Sequence, residues 1–332
     1  MNYYRIPSVT VGLLVRNGEK FISETINSIL AQTFKDFELL ISDNASTDET
    51  ERICREYAKI DKRIRYVRQT ENIGAIGNFN FLVRLAKGKY FKWAAADDLI
   101  APTFLASCIE VLECQPKFIL CHSETVTIGG SGEELPNDII CSSGAAESPL
   151  EGYLGRYRPS QRFKDVLLGK TAVMDYWGVI RTAQLRAAGQ RLPYIGCEKV
   201  FMAKLSLQGR FAEIPEKLFA YRMHPDSFSS QTTAKAQQTW CNARSEVKRY
   251  PRLVFLRGYL DAVATSRLSF TERILCYIAI ARYLLQVSKW PRVIRGSLFG
   301  AEFGEGNTEV LRANVVTQET GIRRRTAHDI WM

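Results

Sequence analysis

The chain has 332 residues, 46% hydrophobic and 24% charged, with 45 Lys or Arg against 35 Asp or Glu. That balance excludes wholesale disorder and supplies enough apolar mass for one large α/β domain with an appended segment, or for two ordinary domains. The formal charge is +10, and between Cys241 and Gly300 eleven Lys or Arg meet three acids, a net of +8; basicity so localised speaks for a local anionic partner and against a nucleic-acid surface.

Cys54, Cys108, Cys114, Cys121, Cys141, Cys197, Cys241 and Cys276 form no CxxC pair, and three histidines are too few to complete a zinc site. They read as buried thiols of a reducing compartment. Met1 to Pro7 lacks the apolar run of a secretory signal, and no stretch of about 18 residues is apolar enough to span a bilayer. A cytoplasmic protein is expected, or one peripheral on the inner face of the plasma membrane.

Along the chain, Val9–Val15 is a continuous apolar run of buried-strand type. Phe21, Ile22, Ile26, Ile29 and Leu30 then recur at helical spacing. Phe37–Ser42 is a second strand, and Ser46 with Glu49 has the spacing of a capping box for the helix after it. Ile64–Val67 is a third strand, a helix is expected from Ala75 to Ala86, and Tyr90–Trp93 is a fourth strand leading to Asp97 and Asp98. Pro102 suits the first turn of a further helix. Strands interleaved with helices imply a mostly parallel, Rossmann-like sheet, whose ligands bind beyond the carboxyl ends of the strands. Asp43, Asp97 and Asp98 all fall at that end.

From Ile128 to about Ser160, Gly, Ser, Glu and Pro predominate and a long loop is expected. Next come a helix near Phe163–Leu168, a strand-like Val173–Ile180, a helix at about Cys197–Leu207 and a strand pair over Phe211–Met223. Beyond Gln231 the pattern is helical. Glu272–Leu285 is strongly apolar with basic surroundings, which fits either a helix lying on an anionic membrane surface or one packed on the preceding domain. Residues 1–230 are thus expected as the α/β unit, 231–305 as a basic helical extension and 306–332 as a polar, poorly ordered tail.

Val9–Asn17, AQTFKDFELLISDNASTDET, ENIGAIGN and YFKWAAADDL, in that order, resemble the N-terminal half of family 2 glycosyltransferases of the GT-A fold. GCEKVFMAKLSLQGRFAEIPEKLFAYRMHPDS resembles that family's acceptor-side half, so the likeness runs over residues 8–230. The resemblance implies an inverting transferase that moves a sugar from a nucleotide-diphosphate sugar to a hydroxyl of a saccharide or lipid-linked acceptor in cell-envelope synthesis. It implies a divalent cation, Mg²⁺ or Mn²⁺, as cofactor.

The resemblance also assigns roles. Val15, Asn17, Asp43, Asn72, Gly74, Asn78 and Asp97 fall at the nucleotide-sugar site, with Asp43 on the base. Asp97, Asp98 and His224 fall at the metal, and Glu198 is the catalytic base, where Asp is more usual. Ala95 replaces the first acid of the family's Asp-x-Asp motif, and Arg16 stands where an aromatic could stack on the base. Each residue also has a structural reading: Asp43 as a helix-capping loop acid, Asn72, Gly74 and Asn78 as a plain turn into a helix, Asp97 and Asp98 as a solvated acidic turn. Glu198 could equally be a first-turn helix acid, and Arg222 a phosphate contact or a surface residue. Two other functions compete: a non-catalytic sugar-nucleotide-binding protein, favoured by Ala95 and Arg16, and a nucleotidyltransferase, disfavoured by the poor phosphate loop Arg16-Asn17-Gly18-Glu19-Lys20.

Overall fold

The computed structural model describes residues 6–136, 158–168, 173–194, 196–227, 234–241 and 251–285. Its first half alternates β1 (Val9–Val15), α1 (Ile22–Leu30), β2 (Phe37–Asp43), α2 (Thr50–Ile60), β3 (Ile64–Arg68), α3 (Gly74–Leu85) and β4 (Tyr90–Ala95). Then follow β5 (Leu99–Ile100), α4 (Phe104–Cys114), β6 (Phe118–Ile128), α5 (Pro159–Leu167), β7 (Val179–Arg181), α6 (Thr182–Ala187), α7 (Cys197–Gln208) and β8 (Arg210–Arg222). Three helices close the described chain: α8 (Ala234–Cys241), α9 (Pro251–Thr265) and α10 (Phe270–Leu284).

One sheet runs β3-β2-β1-β4-β7-β6-β8-β5. β1, β2, β3 and β4 pair in parallel, as do β6 and β8, while β7 and β5 join antiparallel. β1 lies between β2 and β4 with helices over both faces, which is why all seven of its residues are buried without alternation. Its register puts Val15 opposite Asp43 and Leu14 opposite Ala95. Three strands therefore stop level, and their last residues open on one edge.

α1 turns Ile22, Ile26 and Ile29 inward at helical spacing. The mixed sheet flanked by helices is the architecture the sequence implied. The helical extension joins the same core: Tyr259, Val263, Cys276 and Ile280 are buried in the cluster that holds β1 and β4.

Several local readings change. Ser46 does not cap α2: its hydroxyl accepts from the Asn17 amide, and Asp48 instead accepts from the Thr50 amide at the helix start. The expected strand pair over Phe211–Met223 is one long strand, β8, following β6 through irregular register near Ser123 and Glu124. Pro215 lies in that stretch, where the ladder is already broken. Val173–Ile180 divides into a 3₁₀ turn, Val173–Trp177, and the short β7. The buried run Phe118–Ile128 is an 11-residue strand that periodicity alone did not separate from its surroundings. Pro102 lies just before Thr103, the residue that precedes α4, and so outside the helix. Cys114 is exposed, unlike the other described cysteines. Most of the Ile128–Ser160 loop, Cys141 and the tail 306–332 lie outside the described residues.

Candidate active site

The edge beyond β1 and β2 is held by side chain to backbone bonds between neighbouring loops. Asn17 adopts a left-handed φ of 53°, a conformation Asn tolerates better than most residues. Its amide donates to Ser46 Oγ at 3.0 Å and its Oδ1 accepts from the Thr47 amide at 2.9 Å. The Asn44 amide donates to the Val15 carbonyl. Arg16, between them, is exposed.

Asp43 is fully buried. Its Oδ1 accepts from the Ser46 amide at 2.8 Å, and its Oδ2 accepts from the Tyr66 hydroxyl at 2.6 Å. Burial first, and that bond second, hold the Tyr66 phenol above its ordinary pKa. Both carboxylate oxygens thus already order the loop after β2, and each retains capacity for a second donor.

Asn72 and Asn44 form a reciprocal clamp. Asn44 Nδ2 donates to Asn72 Oδ1 at 2.9 Å, Asn44 Oδ1 accepts from the Ile73 amide, and Asn72 Oδ1 also accepts from the Gly74 amide. Gly74 opens α3 at φ 74°, where a side chain would be strained. Asn78 faces the sheet instead of the edge. It is buried, with Nδ2 donating to the Ser42 carbonyl and Oδ1 accepting from the Ser42 hydroxyl at 2.5 Å.

Asp97 and Asp98 have opposite surroundings. The Asp97 side chain is 27% exposed, and its Oδ2 stands 3.0 Å from His224 Nε2. Asp98 is buried, its Oδ1 accepts from the Arg222 amide at 2.9 Å, and its Oδ2 has no partner among the described residues. Burial, reinforced by the charge of Asp97, raises the Asp98 carboxyl well above the usual carboxylate range. Behind it the Lys92 amine, buried and donating to the Trp93 and Trp177 carbonyls, is lowered by burial to about 8.

Arg222 is neither a surface residue nor an exposed phosphate contact. It is almost fully buried, donates from Nε to the Asp97 carbonyl and from Nη2 to Glu24 Oε2 at 2.6 Å, and stacks on the Phe21 ring. The β5–β8 pairing, Leu99 opposite Ala220, and the Arg222 bonds tie the Asp97 turn to the strand that delivers His224. Phe21 fills the other side, its ring centroid 4.8 Å from that of His224. Sequence reading missed Glu24 and Tyr66, which lie in ordinary helix and strand patterns.

Asp97 and His224 make a carboxylate and imidazole pair at the edge of the sheet, the carboxylate 27% exposed and the imidazole 9%. Among the described residues no three His, Cys, Asp or Glu converge as a self-sufficient metal cage. The pair fits a cation that takes its remaining ligands from phosphate oxygens and water, the habit of Mg²⁺ and related ions at phosphate sites.

Glu198 stands in the first turn of α7, three residues before Phe201, whose ring packs edge-on against Trp93 at 5.6 Å. Trp93 lies on β4, four residues before Asp97, so the helix of Glu198 and the strand of Asp97 meet through this contact. Gly196 precedes α7 at φ 79°, and a Cβ there would come within 2.7 Å of the Phe255 ring. Arg191 approaches Glu198 to 4.0 Å and lies over Phe79, Tyr176, Trp93 and Phe201, with ring centroids 4.3 to 5.9 Å away. Asn80 on α3 takes both the amide and the carbonyl of Arg191. No motif signalled Arg191. A cavity of about 710 Å³ opens beside it between α7 and α9, lined by Tyr194, Cys197, Lys204, Leu253 and Arg257 among others. Asp43, Asp97 and Glu198 do not line it.

Residues 10–180 match the family model described as glycosyl transferase family 2. An uncharacterized glycosyltransferase of Haemophilus influenzae is 27% identical over 70% of this chain and 71% of its own. EpsH of Bacillus subtilis, a putative glycosyltransferase, is 22% identical over 76% of this chain and 66% of its own. Another uncharacterized glycosyltransferase, from Methanocaldococcus jannaschii, is 36% identical over 32% of this chain and 38% of its own. Among solved structures, TarS 1–349 of S. aureus in complex with UDP superposes with a TM-score of 0.61 at 16% identity, over 88% of this chain and 75% of that one. The mannosyltransferase PcManGT of Pyrobaculum calidifontis, in complex with GDP-Man and Mn²⁺, gives a TM-score of 0.51 at 17% identity, over 90% and 89%. The fold is that of GT-A glycosyltransferases. With the family model covering more than half its length, the chain belongs to glycosyl transferase family 2 and is a glycosyltransferase.

Proposed function

We propose that the protein transfers a sugar from a nucleotide-diphosphate sugar to a hydroxyl of a saccharide or lipid-linked acceptor, with inversion at the anomeric carbon, in cell-envelope polysaccharide or glycolipid synthesis. The observation that carries the reading is the Asp97–His224 pair, partly accessible just beyond the carboxyl end of β4 where parallel-sheet ligands bind. A bound Mg²⁺ or Mn²⁺ would neutralise charge gathering on the departing diphosphate. Asp97 and His224 would hold it, and Asp98, buried and tied to Arg222, shapes the turn that presents Asp97.

The loops of Val15, Asn17, Asp43, Asn72 and Gly74 form the nucleotide side, and the Asn78–Ser42 bonds fix α3 behind them. Glu198 takes the acceptor proton as the acceptor oxygen bonds to the anomeric carbon and the bond to the diphosphate breaks. Residues 1–230 form the catalytic unit and 231–305 its helical extension, with residues 306–332 as a tail. UDP, UDP-GlcNAc and GDP-Man are the nucleotides and donors in the similar solved structures, which supports a donor of this class.

The test is a thermal-shift panel of nucleotide sugars with and without Mn²⁺, followed by product analysis with acceptor. A Mn²⁺-dependent shift and release of free nucleoside diphosphate are expected. Pyrophosphate would point to nucleotidyl transfer, and binding without turnover to a non-catalytic binding protein.

A further inference from the structure

α10 is apolar on two faces, and only one of them is covered. Cys276, Ala279 and Ile280 are buried in the shared core, and Glu272 accepts from the Ser160 amide at the start of α5, so the inner face is fixed to the domain. Phe270, Ile274, Tyr277, Ile278 and Ala281, with Leu285 just past the helix, are exposed, Phe270 to 79% and Leu285 to 73%.

At about 100° per residue these six positions fall within an arc of about 100°, and at 1.5 Å per residue the stripe is about 22 Å long. Isolated exposed apolar residues are ordinary, but a continuous stripe on a rigidly held helix marks an interaction surface.

Charge selects the occupant. From Arg273 to Ala301 the sequence holds Arg273, Arg282, Lys289, Arg292 and Arg295 and no Asp or Glu. Arg282 is exposed beside the stripe, whereas Arg273 donates to carbonyls at the end of α9. A second copy of the chain would bring the same cations face to face. An anionic bilayer instead offers acyl chains to the stripe and negative headgroups to its cationic surroundings.

We infer that the outer face of α10 seats the protein on an anionic lipid surface, with the helix lying in the plane of the interface. None of the described helices is long and apolar enough to cross a membrane. The attachment stands apart from the identity of donor and acceptor, and vesicles without any sugar nucleotide test it alone.

The intact protein is sedimented with vesicles of phosphatidylcholine containing about one third phosphatidylglycerol, and with phosphatidylcholine alone. Binding to the anionic vesicles, weakened by salt, is expected, with at least ~10-fold poorer partitioning for the pair Ile274→Asn and Ile278→Asn. Both substitutions are on the solvent side, and an unchanged melting temperature shows that the variant is folded. Three results would overturn the inference: wild-type protein left in the supernatant, a variant that partitions as the wild type does, or a concentration-dependent dimer in sedimentation velocity that the same pair abolishes.

Discussion

Arg191 Nη2 lies 4.0 Å from Glu198 Oε2, and the guanidinium behind it is 4% exposed and enclosed by aromatic rings. A cation stacked among rings, on a backbone that Asn80 anchors, has little freedom to reorient, so it helps fix where the nearby Glu198 carboxylate sits. α3, which carries Asn80 and Phe79, and α7, which carries Glu198 and Phe201, are joined through this residue. Glu198→Gln is expected to lower transfer by about 10² to 10⁴-fold with donor binding retained. Arg191→Lys keeps the charge and loses the planar stack. It is expected to lower kcat about tenfold while leaving the donor KM close to wild type, because Arg191 acts through Glu198. Steady-state kinetics of both variants check the assignment, and wild-type kcat in either would end it.

Asp97→Ala should remove the Mn²⁺-dependent part of donor binding, and His224→Ala should weaken it. Calorimetric titration of the nucleotide diphosphate with and without Mn²⁺ reads the difference. Equal titrations for wild type and Asp97→Ala would exclude Asp97 as a ligand.

Asn78 was a candidate nucleotide contact, yet both of its side-chain groups bond Ser42 in the interior. Asn78→Ala is therefore expected to destabilise the fold by about 1–3 kcal/mol through unpaired buried groups on Ser42. Donor affinity should stay within about twofold once the protein is folded. A urea titration alongside a binding isotherm separates these effects. A large loss of affinity with unchanged stability would return Asn78 to the nucleotide site.

Asp175 is buried below β7, and burial raises its carboxyl to about 6, with His122 at 3.9 Å opposing the shift. A carboxyl with a raised native pKa adds stability that is fully present below about 4 and lost as pH rises through about 6. Asp175→Asn should therefore be more stable than wild type at pH 8, by up to about 3 kcal/mol, and nearly matched to it at pH 4.5. Denaturant midpoints at the two pH values test the sign.

Much of this fold was legible because β1, β2 and β4 are short, predominantly apolar runs bounded by turn residues, and α1 keeps its apolar positions on one face. The less legible parts share a physical cause. β6 is buried on most of its length, so it shows no alternation to mark it. β8 reads as two strands because Pro215, Glu216 and Lys217 interrupt it, whereas the chain absorbs them by shifting register against β6. At the site, local pattern indicates which residue sits at a strand end but not which way its side chain turns. Asp97 and Asp98 are adjacent in sequence, yet one faces solvent and the other is buried under Arg222. Arg191 gave no signal because its role depends on four rings from separate elements.

α7 and β8 are separated by Gly209 alone. Glu198 at one end and His224 at the other therefore belong to a single helix–strand unit with no loop in which length can vary. A change in the length of this span would displace Glu198 against His224. Divergence in specificity should therefore gather outside this unit, while the α7–β8 span stays constant in residue number.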